Sequence, residues 1–418
     1  MLCVVNKGLW FIATFLLLVS GIYFSIVLKF KQFNIVKMFR AFFSRSNSNV
    51  TSFQTLSISL GARVGVGSLA GVALAIKLGG RGTIFWFWIS SLILSINTYV
   101  ESFLGTKFKN SDLGGGPSYY IKYGLNSKML SVVYAVVVIL AYIGGFLTIQ
   151  SNTITKVFIG FGYNKLLIAF FICLISALII FGGINKIVRF TSVLVPLMSC
   201  MFLMVGIFII SKNILLLPSI LKSIVVDAFN INKFGIGVVM SLIIGVQRGV
   251  FSTESGIGTS AMAAGLDNDV NSSNQAFIQV FGVHFTTFVI STITAIIILT
   301  SDYSNLFFED VNGIEITYYA FHYHLGEFGS LVLTICILLF SFSTIVSGYY
   351  YGEMNLNFLI HTNKFIVIVF KILTLVLLFL GSLLSSGLLW SLVDILVALM
   401  AIINIYSLIS LKEVVAVR

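Results

Sequence analysis

Long, uninterrupted apolar runs are the feature that most constrains how this chain can fold. A helix needs roughly 20 apolar residues to cross a bilayer, and about eleven runs approach that length. They occupy residues 8–28, 56–79, 83–104, 130–150, 164–184, 190–211, 234–262, 274–300, 328–347, 364–382 and 387–411. Charged residues make up only 9% of the 418-residue chain, whereas a soluble domain has about 25%. Such a chain cannot cover a water-facing surface, so its solvent must be lipid.

The continuity of these runs indicates helices. Inside a bilayer the backbone satisfies its hydrogen bonds only in helices or closed barrels. The runs do not alternate between apolar and polar residues as barrel strands do, so a barrel is excluded. We therefore predict an all-α integral membrane protein with about eleven transmembrane helices. The first run lacks an A-x-A cleavage site and is interpreted as a retained span rather than a signal peptide.

The net charge of +11 is distributed unevenly among the predicted loops. Five basic residues with no acidic residue among them follow the first run: Lys29, Lys31, Lys37, Arg40 and Arg45. Acidic residues are concentrated in the segment 302–327, which falls on the other side of the membrane. The positive-inside rule then predicts that the N-terminus is outside and the C-terminus cytoplasmic. We expect the chain to lie in an inner (plasma) membrane of bacterial type. Asp267 and Asp269, in a loop predicted to be cytoplasmic, are the exception.

Two apolar runs are interrupted by glycines and polar residues. The segment Gly61–Gly71 includes Arg63 and Ser68, and the segment Gly245–Gly258 lies in the seventh run. Breaking a helix exposes amide groups that attract a carboxylate and carbonyls that bind a small cation. Broken helices at matching positions of two inverted five-helix repeats are typical of secondary transporters. Close helix packing through small residues is an alternative for the glycines, but it does not account for the arginine and the serine.

Five ionisable residues lie within predicted spans, where each costs about 2.5–3.5 kcal/mol unless it has a partner or faces a cavity. They are Arg63, Glu101, Arg248, Glu254 and Asp394. A structural salt bridge and a substrate contact both remain open for each of them. Arg248 and Glu254 could pair across the second break, and Glu101, near the end of its span, could reach the interface.

Hydroxyl and amide side chains add two polar clusters. Ser343 and Thr344 are adjacent in the ninth run, and Gln150–Asn152 close the fourth. Oxygen ligands of this kind suit a hard cation such as Na⁺, although Ser and Thr in helices also bond to their own backbone. The sequence offers no activated nucleophile, metal-ligand cluster or suitably placed carboxylate pair, so we do not expect an enzyme.

Nine short segments, spread in order between about Phe30 and Leu411, carry a more specific pattern. They are Ser52–Gln54, Val64–Ala73, Gly79–Trp86, Gly115–Ile121, Gln150–Asn152, Arg248–Gly256, Phe340–Thr344, Tyr349–Glu353 and Asp394–Asn404. Their order and spacing resemble the alanine or glycine:cation symporters, also called the sodium:alanine symporter family. The resemblance implies a LeuT-like fold, with a leading helix and basic loop (1–55), a first five-helix repeat (56–211) and an inverted second repeat (212–418).

The resemblance also implies a function: uptake of a small neutral amino acid, alanine- or glycine-like, coupled to Na⁺ by alternating access. The implied substrate residues are Gly65, Val66, Gly67, Ser68, Gln150, Ser252, Thr344 and Gly348. The implied sodium ligands are the carbonyls of Gly61 and Val64 and the hydroxyls of Ser343 and Thr344. A proton in place of sodium remains open. The expected partners are the amino acid and membrane lipid, without nucleic acid, and a monomer is the working expectation.

Departures from the family pattern leave alternatives open. The usual Thr and Asn of the first break are Val66 and Ser68, and a usual Trp after the hydroxyl pair is Gly348, which predicts a larger pocket. One alternative is a symporter for a larger amino acid such as glutamine. Another is a sensor that keeps the fold and binds an amino acid but does not cycle. The identity and chirality of the amino acid and the ion stoichiometry are not fixed by the sequence.

Overall fold

The computed structural model describes residues 2–43, 50–110, 114–230, 237–267, 271–302, 311, 313–361 and 363–416. Arg45 and Asp269 from the charge analysis lie outside these ranges. The described chain is helical, without a β-strand. Its helices are α1 (Leu2–Val27), α2 (Ile35–Phe42), α3 (Ser52–Arg63), α4 (Gly67–Gly79), α5 (Thr83–Lys107), α6 (Pro117–Tyr123), α7 (Lys128–Gly160), α8 (Lys165–Ile180), α9 (Gly183–Lys212), α10 (Leu217–Ala228), α11 (Val238–Thr253), α12 (Thr259–Ala264), α13 (Ser272–Leu299), α14 (Gly313–Leu325), α15 (Glu327–Ile360), α16 (Lys364–Leu383), α17 (Ser386–Ser410) and α18 (Lys412–Ala416).

The predicted all-α membrane architecture is confirmed, but the count of eleven spans is not. Among the described residues, eight helices are long and apolar enough to cross a membrane, and the bent pair α3–α4 makes a ninth. The fifth and seventh runs correspond to α8 and α11, which are apolar but have only 16 residues each. Each predicted run therefore overlaps a helix or a broken pair of helices, and two of these helices are shorter than an ordinary span.

The fourth run ends later than predicted, because α7 continues to Gly160. Gln150–Asn152 therefore lie inside the helix and do not close it. Asn152 bonds across the interface between α7 and α16: its amide donates to the carbonyls of Gly381 at 3.1 Å and Leu384 at 2.7 Å. These bonds satisfy the end of α16, whose last carbonyls have no partner within their own helix.

The first break lies between α3 and α4, whose axes differ by 52°. Helix α3 begins with a capping box in which Thr51 and Gln54 bond reciprocally. It ends at Arg63, and Val64 has left the helical region with φ −84° and ψ 69°. A π-helical turn, Gly67–Gly71, then opens α4. Similar π-helical turns occur within α7 (Leu140–Phe146) and α13 (Phe285–Ser291), and such turns are often found at functional sites.

The second break lies between α11 and α12. Three residues there have left-handed backbone: Glu254 at φ 54°, Gly256 at φ 82° and Gly258 at φ 94°. Glycine adopts such angles without steric cost, which explains the two glycines. Glutamate does so rarely, so Glu254 must be held in place by its contacts.

Both breaks are in the protein interior. Helix α5 packs against α11, α12 and α13, while α15 packs against α3, α7 and α9. The leading helix α1 packs against α5 and α17. The polar segments of both breaks are therefore buried among packed helices.

The packing near the second break can be tested at one close contact between helices. Gly105 of α5 faces Ala261 of α12, and a Cβ at position 105 would lie 2.6 Å from the Ala261 Cβ and 2.7 Å from its carbonyl oxygen. We expect Gly105→Ala to lower the melting temperature of the purified protein by several degrees, because overpacking costs about 1–3 kcal/mol. The matched control is Gly144→Ala, where a Cβ would meet nothing within 4 Å. Equal melting temperatures for the two variants would contradict the packing described.

Candidate functional site

Two hydroxyls of α15 converge on the end of α3. Ser343 Oγ donates to the Gly61 carbonyl at 3.1 Å, and Thr344 Oγ1 donates to the same oxygen at 3.0 Å. Each hydroxyl also lies within hydrogen-bond distance of the Phe340 carbonyl, at 2.8 and 3.0 Å. A hydroxyl has one proton and two lone pairs, so both oxygens keep acceptor capacity. The structure thus brings together three of the four residues expected to bind sodium.

The fourth expected ligand, Val64, is fully buried and directly follows α3, with its N–H donating to the Leu60 carbonyl at 2.7 Å. The role of its carbonyl stays a prediction. Ser347, which the sequence analysis missed, lies one turn after Ser343: a Cβ added at Gly61 would be 2.7 Å from the Ser347 hydroxyl. That hydroxyl is buried and has no hydrogen-bond partner among the described residues. The i, i+4 spacing from Ser343 is the signal that would have identified it.

Gln150 lies beside the first break. Its Oε1 accepts the N–H of Val66 at 3.4 Å, and a Cβ added at Gly65 would lie 3.4 Å from its Nε2. The same Cβ would overlap the hydroxyl of Thr344, so only glycine fits at position 65 as the side chains stand. Gly65, Val66, Gln150 and Thr344 are therefore neighbours, as the expected substrate site requires.

A chain of three serine hydroxyls links the two breaks. The oxygen of Ser68 is 3.2 Å from that of Ser252, which is 3.1 Å from that of Ser291. Ser68 belongs to α4, Ser252 to the end of α11, and Ser291 to the π-helical turn of α13. Ser68 and Ser252 were expected at the site, whereas Ser291 was not. Nothing in the sequence distinguishes Ser291 from Thr286, Thr287, Thr292 and Thr294 in the same helix.

Aromatic rings form an apolar wall next to these polar groups. A Cβ added at Gly67 would lie 3.0 Å from the Phe251 ring, so the fold requires a small residue there. The Phe251 ring stacks on Phe146 with centroids 4.8 Å apart, and Phe146 stacks on Tyr142 at 4.9 Å. The ring of Trp390 also contacts Phe251, with centroids 4.8 Å apart, and we call these four side chains the aromatic row. A polar ligand end and an apolar ligand end could thus be recognised by adjacent surfaces.

The larger pocket expected at Gly348 is not observed. A Cβ added there would lie 2.7 Å from Leu147 Cδ1 and 2.8 Å from Tyr142 Cδ1. Leu147 and Tyr142 of α7 therefore occupy the space that a side chain at position 348 would need. The small residue is compensated by its neighbours and leaves no opening.

Two buried carboxylates bracket the second break. Glu101 has no exposed surface and accepts from the Gly258 N–H and the Asn404 amide, both at 2.9 Å. The possibility that Glu101 reaches the interface is therefore wrong. Glu254 accepts from the Tyr142 hydroxyl at 2.6 Å through Oε1 and from the Thr259 hydroxyl at 2.9 Å through Oε2. These bonds hold the left-handed turn and attach it to α7.

Arg63 is also fully buried and lies close to both carboxylates. Its guanidinium donates to the Gln279 carbonyl at 3.1 Å and to the Ser260 hydroxyl. Its electrostatic interactions with Glu101 and Glu254 are favourable. Arg63 therefore joins the last turn of α3 to α12 and α13.

Two further buried charges, Arg248 of α11 and Asp394 of α17, form an ion pair. Arg248 Nη2 lies 2.9 Å from the carboxylate of Asp394, and both side chains are 5% exposed. The guanidinium also lies 5.2 Å above the ring of Trp390, and the Trp10 indole donates to the Asp394 carbonyl at 3.0 Å. The pairing of Arg248 with Glu254, which the sequence left open, is not formed.

Comparison with known proteins places this arrangement in a family. The pattern of the sodium:alanine symporter family matches residues 1–418. The "Probable sodium/glutamine symporter GlnT" of Bacillus subtilis is 37% identical over 99% of this chain and 88% of its own length. The "Sodium/alanine symporter AgcS" of Methanococcus maripaludis is 31% identical over 96% of this chain and 91% of its own length.

A solved structure supports the fold independently. It is the substrate-bound, outward-open state of a Na⁺-coupled sialic acid symporter, with a TM-score of 0.56 over 98% of this chain and 82% of that protein. At 13% identity this likeness concerns the fold alone. The full-length sequence match and the helical architecture agree, and the chain belongs to the sodium:alanine symporter family.

Proposed function

We propose that this protein is a sodium-coupled symporter that imports a small neutral amino acid by alternating access. The observation that carries the proposal is the convergence of the Ser343 and Thr344 hydroxyls on the Gly61 carbonyl at 3.0–3.1 Å. This convergence places three oxygen atoms at a helix break in the protein interior. Membership of the sodium:alanine symporter family supports sodium as the ion that they bind.

Sodium is the coupling ion because this oxygen set suits it. Na⁺ is a hard cation and takes carbonyl and hydroxyl oxygens as ligands. Each hydroxyl can turn its proton toward the Phe340 carbonyl, which is already 2.8–3.0 Å away, and offer a lone pair to the ion. The Gly61 carbonyl is then released from two hydroxyl donors. Ser347 and Val64 are the adjacent candidates for further ligands, and a proton remains the alternative coupling ion.

The substrate binds at the first break, with its carboxylate on the amides near Gly65 and Gly67 and with Gln150 beside it. Ser68 and Ser252 complete the polar side, and the aromatic row of Tyr142, Phe146, Phe251 and Trp390 faces the substrate side chain. Tyr142 and Leu147 fill the space at Gly348, which favours a small side chain such as that of alanine or glycine. Glutamine is the second candidate, because a relative at 37% identity is named as a probable sodium/glutamine symporter.

The proposed topology places the N-terminus outside and the C-terminus in the cytoplasm, with inverted repeats at 56–211 and 212–418 after the leading segment 1–55. The protein lies in the inner membrane, acts as a monomer and leaves the substrate chemically unchanged. In this orientation the Arg248–Asp394 pair separates the site from the exterior. The Arg63, Glu101 and Glu254 cluster lies on the cytoplasmic side of the site.

The direct test is uptake of labelled alanine, glycine and glutamine by proteoliposomes, with and without an inward sodium gradient. We expect gradient-driven accumulation of alanine or glycine, and weaker accumulation of glutamine because of the filled space at Gly348. A proton gradient alone should not replace sodium. Binding of an amino acid without accumulation would support the non-cycling sensor instead.

A second prediction concerns the hydroxyl pair. We expect Ser343→Ala combined with Thr344→Ala to weaken the apparent sodium affinity of uptake about tenfold or more, since two ligands are lost, equivalent to about 1.4 kcal/mol. Sodium titration of uptake measures this. Ser341→Ala is the matched control, because Ser341 lies on the same helix and its buried hydroxyl has no partner among the described residues. Unchanged sodium dependence in the double variant would refute the ion site.

A third prediction concerns the outer ion pair. Asp394→Asn leaves Arg248 buried without its counter-charge, which typically costs about 3–5 kcal/mol. We expect uptake to fall about tenfold or more while equilibrium amino acid binding changes less than about threefold, because the pair lies outside the substrate site. Glu327→Gln is the control, an exposed acid at the start of α15. Equal uptake by Asp394→Asn and the wild type would show that the pair has no part in the cycle.

A further inference from the structure

The segment 29–43, between α1 and the broken helix α3, has a surface that the transport function does not explain. It consists of a short 3₁₀ turn (Lys31–Phe33) followed by α2. We call it the interfacial segment. It contains four basic residues and no acidic residue: Lys29, Lys31, Lys37 and Arg40.

One face of the interfacial segment is fixed to the protein. Met38 and Ala41 are each only 2% exposed, and the Phe39 and Phe42 rings lie 5.7 and 6.4 Å from that of Phe281 in α13. The preceding turn is held as well, because its Gln32 amide donates to the Ser25 hydroxyl at 2.7 Å. The position of α2 on the protein is thus well defined by packing.

A second face of α2 is apolar and exposed. It consists of Ile35 at 61%, Val36 at 67% and Phe39 at 50% exposure, and it continues in Phe43, which directly follows the helix, at 76%. At 100° per residue, these four side chains fall within about a third of the helix circumference. Contact with water would be costly for so many large apolar side chains on a short helix. The face is therefore adapted to hydrocarbon.

The basic residues border this apolar face. The helical angle places Arg40 next to Val36 and Lys37 next to Arg40, between the exposed apolar face and the buried face. Lys37 and Arg40 are both exposed. A helix with an apolar face flanked by Lys and Arg lies in a membrane interface, with its apolar side chains among acyl chains and its cations at the headgroups.

We propose that the interfacial segment is a binding site for anionic phospholipid of the surrounding bilayer. The apolar face contacts the acyl chains, and the exposed side chains of Lys29, Lys37 and Arg40 contact the phosphate headgroup. An anionic lipid explains both parts of the surface. Free phosphate would not interact with the apolar face, and a lipid without net charge would not neutralise the basic side chains. The site is additional to the transport site and does not rest on its assignment.

The location gives the lipid a connection to the broken helix. Helices α2 and α3 both pack against α13, and Phe42 also contacts Phe53 in the first turn of α3 with ring centroids 6.2 Å apart. An occupied lipid site therefore stabilises the packing at the start of α3, whose other end carries the Gly61 carbonyl.

The test is native mass spectrometry of the purified protein titrated with phosphatidylglycerol or phosphatidylcholine of the same acyl chains. We expect wild-type protein to prefer phosphatidylglycerol. Lys37→Gln combined with Arg40→Gln should reduce that preference about 30-fold, or about fivefold for each basic side chain near an anionic surface. The double exchange Lys37→Arg with Arg40→Lys should retain it, which separates charge from misfolding.

The matched control is Lys186→Gln with Arg189→Gln, which removes the same two charges from exposed positions on α9 and should leave the preference unchanged. Ile35→Ser with Val36→Ser should weaken binding of both lipids. Equal affinity of the wild type for the two lipids, or an equal loss in the control, would overturn the proposal. Displacement of phosphatidylglycerol by millimolar inorganic phosphate would overturn it too, because it would identify a phosphate site.

Discussion

The backbone groups freed at the two helix breaks lie in the protein interior, and much of the buried polarity in this protein follows from the need to give them hydrogen-bond partners. An unsatisfied peptide group in a bilayer costs several kcal/mol. Side chains from distant helices supply the missing partners. Glu101 accepts the Gly258 N–H, Asn404 donates to the Gly256 carbonyl at 2.9 Å, and Tyr134 donates to the Ile257 carbonyl at 2.5 Å. The charged and amide side chains within this apolar sequence thus serve as hydrogen-bond partners for backbone groups at the breaks.

The backbone groups at the first break have partners of a different kind, and the difference agrees with the binding site proposed there. Its carbonyl at Gly61 is met by hydroxyls, and its amide at Val66 by the Gln150 side chain at 3.4 Å. Hydroxyls rotate and a 3.4 Å bond is weak, so these partners can be exchanged for a ligand at little cost. The partners at the second break include carboxylate and amide bonds at 2.9 Å or less. The exchangeable partners of the first break fit the proposed binding site, whereas the second break is held more firmly by its partners.

The sequence predicts local features well and long-range pairing poorly. The helices and both breaks were predictable because hydropathy and glycine content are local properties. The burial and hydrogen bonds of Glu101 were not predictable, because its partners Gly258 and Asn404 are 157 and 303 residues away in the sequence. Ser291 and Ser347 escaped notice because helices contain many hydroxyls and only packing selects among them. The filled space at Gly348 depends on Tyr142, whose position is set by the π-helical turn of α7 and not by any pattern around residue 348.

The ion pair of Arg248 and Asp394 has a consequence for how the chain enters the membrane. The two residues are 146 positions apart, and Trp10, which binds the Asp394 carbonyl, precedes that residue by 384. During synthesis Arg248 therefore emerges from the ribosome well before its counter-charge exists, in a helix of only 16 residues. An unpaired arginine at membrane depth costs about 2.5–3.5 kcal/mol on insertion scales. Helix α11 is thus a poor membrane anchor by itself. Its stable insertion depends on the later insertion of α17, whose Asp394 neutralises Arg248 and accepts the hydrogen bond from Trp10 of α1.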